Sequence, residues 1–199
     1  MRELFKLSFV LTLICSFAAL SLGVAHNLTK DPIAEQQRLK KIRALREVFS
    51  QYDVPETLPT AEVVVGRDAD GKAVKQKFFL VGDDGKIFGI AFESFTKGYN
   101  GEIHLLTGVT VGGEIAGVKV ISHSETPGLG ANIVQDMFSG QFRGMSLEKN
   151  RWTVKKNGGD IDQVTGATIS SSAVIDAMKS GLQMVSDHKS EILDQTTER

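Results

Sequence analysis

The stretch richest in chemical possibility is Asp162-Gln163-Val164-Thr165-Gly166-Ala167-Thr168, which runs directly into an apolar-periodic segment. Small residues let the backbone turn tightly and approach a ligand. A helix start presents free N–H groups and the positive end of the dipole, which suits a phosphate. Thr165 and Thr168 place two hydroxyls beside that position. The stretch lacks the Lys and the Gly spacing of a P-loop, which argues against nucleoside triphosphate hydrolysis. On the residues alone, a plain Gly-containing turn capped by Ser and Thr is the competing reading.

A second stretch is His123-Ser124-Glu125-Thr126-Pro127-Gly128-Leu129-Gly130. Pro127-Gly128 is the central pair of a type II turn. Gly128 and Gly130, two apart, remove side chains where a flat ligand could lie. His123, Ser124 and Glu125 are consecutive, so a strand would point neighbours to opposite faces. With no G-x-S-x-G elbow in the chain, hydrolase chemistry is disfavoured. A third stretch, Lys97-Gly98-Tyr99-Asn100-Gly101-Glu102-Ile103, reads as a turn anchored by Tyr99 and leading into a strand. The four His (His26, His104, His123, His188) lack metal-ligand spacing, so neither a metal site nor a catalytic residue is expected.

The elements that must position these stretches form one α+β domain. Ser170 to Val185 is a helix whose apolar face is Ala173, Val174, Ala177, Met178, Leu182 and Val185, with Ser170, Ser171 and Ser172 as capping candidates. Lys77–Val81 and Lys86–Phe92 read as strands broken by Gly82-Asp83-Asp84-Gly85. Ile103–Val111 and Glu114–Ser122 flank Gly112-Gly113, a hairpin signal. Glycines within strands such as Ile87–Ala91 invite a bulge or a close backbone approach. Asn132–Phe138 reads as a short helix, Arg151–Val154 as a strand, and the tail beyond Asp187 as polar and frayed.

Composition bounds the function. The chain has 199 residues, 23 Lys+Arg against 24 Asp+Glu, and a net charge of −1. Nothing is basic enough to suggest nucleic acid. A single Cys excludes an intrachain disulfide and a Cys-rich metal centre. Leu7 to Ala25 is a run of 19 uncharged residues preceded by Arg2 and Lys6. It is long enough to span a bilayer and longer than the apolar core of a secretory signal, although Gly23-Val24-Ala25 has the look of a cleavage site. Ser8, Thr12, Ser16 and Ser21 can bond back to their own helix. Asp31-Pro32 reads as the start of a second, amphipathic helix bearing Ile33, Leu39, Ile42, Leu45 and Phe49. The basic residues Lys30, Arg38, Lys40, Lys41 and Arg43 follow the span and, by the charge rule alone, would keep the large domain in the cytoplasm.

Taken in order, the three stretches resemble the membrane flavoprotein family that carries covalently bound FMN. Gly98-Tyr99-x-Gly101-x-Ile103 is similar to its entry motif, Glu125-Thr126-Pro127-Gly128-Leu129-Gly130 to its ETPGLG motif, and Asp162-x-x-Thr165-Gly166-Ala167-Thr168 to its flavinylation motif. Two branches fit: the G subunits of Rnf-type ion-translocating ferredoxin:NAD oxidoreductases, and the usually longer C subunits of sodium-translocating NADH:quinone reductases. The short chain is more similar to the first; a stand-alone extracytoplasmic FMN carrier and a non-redox anion-binding module remain as alternatives.

The resemblance implies a single FMN-binding domain with an antiparallel sheet and flanking helices behind one transmembrane helix. The corresponding boundaries are a cytoplasmic 1–6, a span 7–25, a helical linker 26–60, the FMN domain 61–190 and a polar tail 191–199. It implies FMN joined by a phosphodiester to Thr168, installed from FAD by a separate flavin transferase using a divalent metal. Asp162, Thr165, Gly166 and Ala167 would form the recognition loop, and Glu125, Thr126, Pro127, Gly128, Leu129 and Gly130 the flavin surroundings. The chain would then relay electrons among other membrane subunits, with its domain on the periplasmic or extracellular side of the inner membrane. That side overrides the charge rule and leaves the basic segment for contact with headgroups or with other subunits.

Overall fold

The computed structural model describes residues 2–52, 54–55, 58–68, 70–83 and 86–195. Two compact units emerge, Met1–Lys41 and Ile42–Arg199. The described residues of the first are all helical, part of α1 (Arg2–Val48). The apolar segment of α1 is long enough to cross a membrane, and its large side chains are exposed: Phe5, Leu7, Phe9, Leu11, Phe17 and Leu20 cover no core. The Thr12 hydroxyl donates to the Ser8 carbonyl at 2.9 Å, so the polar residue is satisfied within its own helix. No new helix begins at Asp31-Pro32. Pro32 lies inside α1, where it removes one ladder bond from a 47-residue helix without ending it.

The second unit is built on a five-stranded antiparallel meander in the order β1 (Thr60–Arg67), β2 (Ala73–Asp83), β3 (Lys86–Lys97), β4 (Glu102–Thr110) and β5 (Ile115–His123). The β3–β4 register pairs Phe92 with Thr107 and Lys97 with Glu102. The turn expected between β2 and β3 is bounded by the Asp83–Lys86 pair; Asp84 and Gly85 lie outside the described residues. Between β4 and β5, Gly113 takes φ +84° and donates to the Thr110 carbonyl at 2.9 Å, as the Gly-Gly signal requires.

Strand alternation divides the core between the two faces of the sheet. Leu80, Ile90, Phe92, Ile103, Leu105 and Val109 pack with Val174, Met178, Leu182 and Val185 of α3 (Thr168–Asp187). Gly181 lets this helix approach closely, since a Cβ there would strike the Phe92 ring. Val81, Ala91 and Leu106 join a second cluster with Ala44, Leu45, Val48 and Phe49 at the end of α1 and just beyond it. Three strand glycines, Gly89, Gly108 and Gly117, form the slot for Val48 and Phe49: a Cβ on any of them would collide with one or the other. The strand glycines give close approach, and the register shift between Val81 and Gly82 also puts a bulge beside Gly89.

The secondary structure departs from expectation at two segments between β5 and the C-terminus. Arg151–Val154 is not a strand; only Val154 and Ile161 form an isolated parallel bridge. A 3-10 turn at Lys155–Asn157 and left-handed Gly158 (φ +84°) follow Val154 directly, and no ladder extends from the bridge. The tail is not frayed at its start either. Lys189–Asp194 forms α4, whose Ile192 is fully buried, and the Gln195 side chain bonds both the N–H and the carbonyl of Glu62 in β1 at 3.0 Å. Asn132–Phe138 is helical in two short pieces, a 3-10 turn at Gly130–Val134 and α2 at Asp136–Ser139.

Candidate functional site

The turn joining β3 to β4 is closed by Gly98 N–H donating to the Gly101 carbonyl at 2.8 Å. Asn100, not Tyr99, anchors it: the Asn100 amide donates to the Ser124 carbonyl at 2.8 Å and its backbone N–H to Glu125 Oε1 at 3.1 Å. Tyr99 is 70% exposed. Beyond β5, the Leu129 N–H bonds the Thr126 carbonyl at 3.2 Å across Pro127 and Gly128, whose φ of +76° is that of a type II turn. Gly130 serves packing: a Cβ there would meet Glu125 Oε2 and the Ser170 hydroxyl.

The loop before α3 is held by side chains that lie outside the Asp162–Thr168 stretch. Gln141 clasps Asp162 twice, accepting from its N–H at 2.8 Å and donating to its carbonyl at 3.1 Å. Lys155 Nζ lies 2.6 Å from Asp162 Oδ2. Upstream, Arg151 gives Asp160 its backbone N–H and two guanidinium bonds, which hold that carboxyl below the usual aspartate range. Buried Ser171 accepts the Val164 N–H at 3.0 Å and donates to the Ala167 carbonyl at 2.9 Å, fixing the turn around Gly166 (φ +75°). The three serines are not caps. The helix begins at Thr168, so Ser170 and Ser171 lie buried in its first turn, and Ala167 at the N-cap position makes no side-chain cap bond. The first N–H groups of α3 thus receive no capping oxygen from that residue.

All three stretches meet at one cavity of about 390 Å³, lined by Tyr99, Glu125, Thr126, Leu129, Gly130 and Gly166 to Ser170. That size is within the range of small-molecule sites, roughly 300–1,000 Å³. Its rim is apolar and exposed at Tyr99, Leu129 and Ile169. Thr168 lines it half-buried at the first turn of α3, and among the described residues its hydroxyl makes no hydrogen bond. Asp162 and Thr165 do not reach this cavity. They line a neighbouring one of about 220 Å³ with Asn132, Met137 and Gln141. Pro127 and Gly128 shape the turn without lining either.

The chain is similar to known proteins in both sequence and fold. Residues 98–183 match the FMN-binding domain family and residues 2–48 the RnfG N-terminal region. The G subunit of the ion-translocating oxidoreductase complex of Aliivibrio fischeri is 36% identical over 196 residues, covering 94% of this chain and 93% of that protein. The corresponding G subunits of Vibrio cholerae (34% over 189 residues, 90% of each chain) and Cereibacter sphaeroides (36% over 185 residues, 88% and 81%) are similar. In fold, the chain resembles the crystal structure of Shewanella oneidensis NqrC, with a TM-score of 0.60 at 19% identity over 74% of this chain and 93% of that one. The C subunit of the Na⁺-translocating NADH-quinone reductase from Parabacteroides distasonis gives 0.55 at 19% identity, over 76% and 91%. With an N-terminal region and an FMN-binding domain both matched, and identity above one third across nearly the whole length, this chain belongs to the RnfG family, the G subunits of ion-translocating oxidoreductase complexes.

Proposed function

We propose that the chain is an electron-relay subunit of a membrane-bound, ion-translocating ferredoxin:NAD oxidoreductase, with FMN joined to Thr168 through a phosphodiester. The observation that carries this reading is the meeting of the three motifs at one cavity, with the free Thr168 hydroxyl on its wall and Thr165 directed to another. The residues suit the group. Thr168 Oγ1 supplies the ester oxygen, and the uncapped start of α3 stabilises the charge left on the phosphate. Tyr99, Leu129 and Ile169 supply apolar contact for a flat ring system, while Gln141 and Ser171 keep the attachment loop in one conformation. The flavin, when bound, supplies electron transfer; the protein supplies position and electrostatics.

In this reading α1 anchors the chain, the FMN domain faces the periplasm or cell exterior, and a flavin transferase completes the protein from FAD, the Thr168 hydroxyl displacing AMP at the pyrophosphate. The remaining membrane subunits deliver and remove electrons, and coupling to ion movement belongs to the assembly. From Arg38 onward, the basic segment is better suited to contact with those subunits than with headgroups. Arg38 is 13 residues past Ala25 on a continuous helix, roughly 20 Å along its axis, while the headgroup layer adds only about 5–8 Å per side.

The test is co-expression with a flavin transferase, followed by denaturing electrophoresis under ultraviolet light. Wild type is expected to fluoresce and Thr168→Ala to be dark. A fluorescent Thr168→Ala band would refute the assignment.

A further inference from the structure

Among the described residues, Glu125 is the one charged residue that is buried, with 5% exposure. Removing a carboxylate from water is costly unless it is paired or fully hydrogen-bonded. Here no ion pair engages it among the described residues. Its oxygens are instead held by two neutral donors from different parts of the chain. Asn100 N–H reaches Oε1 at 3.1 Å, and the Ser170 hydroxyl reaches Oε2 at 2.5 Å. Two glycines make room for it: a Cβ on Gly98 would strike Oε1, and one on Gly130 would strike Oε2. The Glu125 backbone N–H is itself fixed by His123 Nδ1 at 3.2 Å. The same carboxylate lines the cavity that contains Thr168.

We infer that Glu125 is a positioning residue: its carboxylate ties the turn carrying Tyr99 to the helix turn carrying Thr168, and its unneutralised charge lowers the electron affinity of the flavin held beside it. This inference rests on the FMN reading above. Glycines 98 and 130 serve the clasp, since both flank the carboxylate. The charge acts in a desolvated setting, where electrostatic effects exceed those in water. An anion beside the ring opposes the arrival of an electron, so neutralising it moves the midpoint potential in the positive direction.

The test uses the full-length chain co-expressed with a flavin transferase. Three variants are compared with wild type for labelled fraction, thermal midpoint and flavin midpoint potential. Glu125→Gln keeps the size and an acceptor oxygen for Asn100, and Ser170 can reorient to accept from its amide. It is expected to label more fully than Glu125→Ala, with the potential of its labelled fraction shifted positive. Glu125→Ala and Ser170→Ala break the clasp and are expected to lose labelling, roughly tenfold for Glu125→Ala, as loss of hydrogen bonds to a charged group implies. Ser170→Ala, which keeps the charge, is expected to leave the potential of its labelled fraction near wild type. Unchanged potential in Glu125→Gln, or wild-type labelling in Glu125→Ala, would overturn the inference. A dark wild type would instead overturn the underlying FMN attachment, which separates the two failures.

Discussion

Replacing Phe49 by Ala tests how the residues at the end of α1 pack against the sheet. Phe49 is 1% exposed and follows directly on α1. Its ring fills the slot left by Gly89 and Gly108 on the face of the sheet opposite α3. Those glycines have no side chains with which to close the space, so the cavity created cannot collapse easily. A buried Phe→Ala change of this kind costs about 3–5 kcal/mol. At roughly 2–4 °C per kcal/mol for a domain of this size, the thermal midpoint should fall by about 6–20 °C. The assay is thermal unfolding of the detergent-solubilised chain, followed by circular dichroism. Because the slot lies on the other face of the sheet from α3, the labelled fraction of protein that does fold should match wild type. A loss below about 1 kcal/mol would show that Phe49 does not fill the slot, and would refute the packing argument.

Three further outcomes follow from the same structure. The Arg151 bonds lower the Asp160 carboxyl in the folded state, so its contribution to stability is present above the ordinary aspartate range and is lost as the pH falls through the depressed folded value. Asp160→Asn should remove that increment, so that the stability difference from wild type narrows in acid; a difference independent of pH would contradict it. Gly166→Ala places a side chain at φ +75° and a Cβ 3.1 Å from Leu129, so it should cost about 1–2 kcal/mol in thermal or urea unfolding. Ile192→Ala should cost about 2–5 kcal/mol by the same measurement, whereas a frayed tail would tolerate it.

Much of the site was legible because its residues carry local constraints. Pro127-Gly128 dictates its turn wherever it sits, and Gly166 and Gly113 supply left-handed backbone that other residues resist. The apolar stripe Val174, Met178, Leu182, Val185 is a local period, and so the last helix was readable. What was hidden depends on partners distant in sequence. Gln141 is an unremarkable polar residue until the fold brings it to Asp162. Ser170 and Ser171 have the composition of caps, yet the helix begins two residues before the first of them and buries both. Gly130 has the signature of ligand approach, but its missing Cβ is occupied by the Glu125 carboxylate and the Ser170 hydroxyl. Pro32 carries a start signal that the surrounding helix overrides. Ile192 lies in a polar tail, and its burial follows from the α4 contact with the core, which no local pattern announces.

The central claim concerns one oxygen atom, and the most direct measurement is peptide mass spectrometry of the native protein isolated from cells that contain a flavin transferase. The account requires the peptide spanning Thr165 and Thr168 to carry the added mass of FMN less water, with fragmentation placing it on Thr168. Unmodified Thr168 in such material, or the added mass on Thr165, would contradict it.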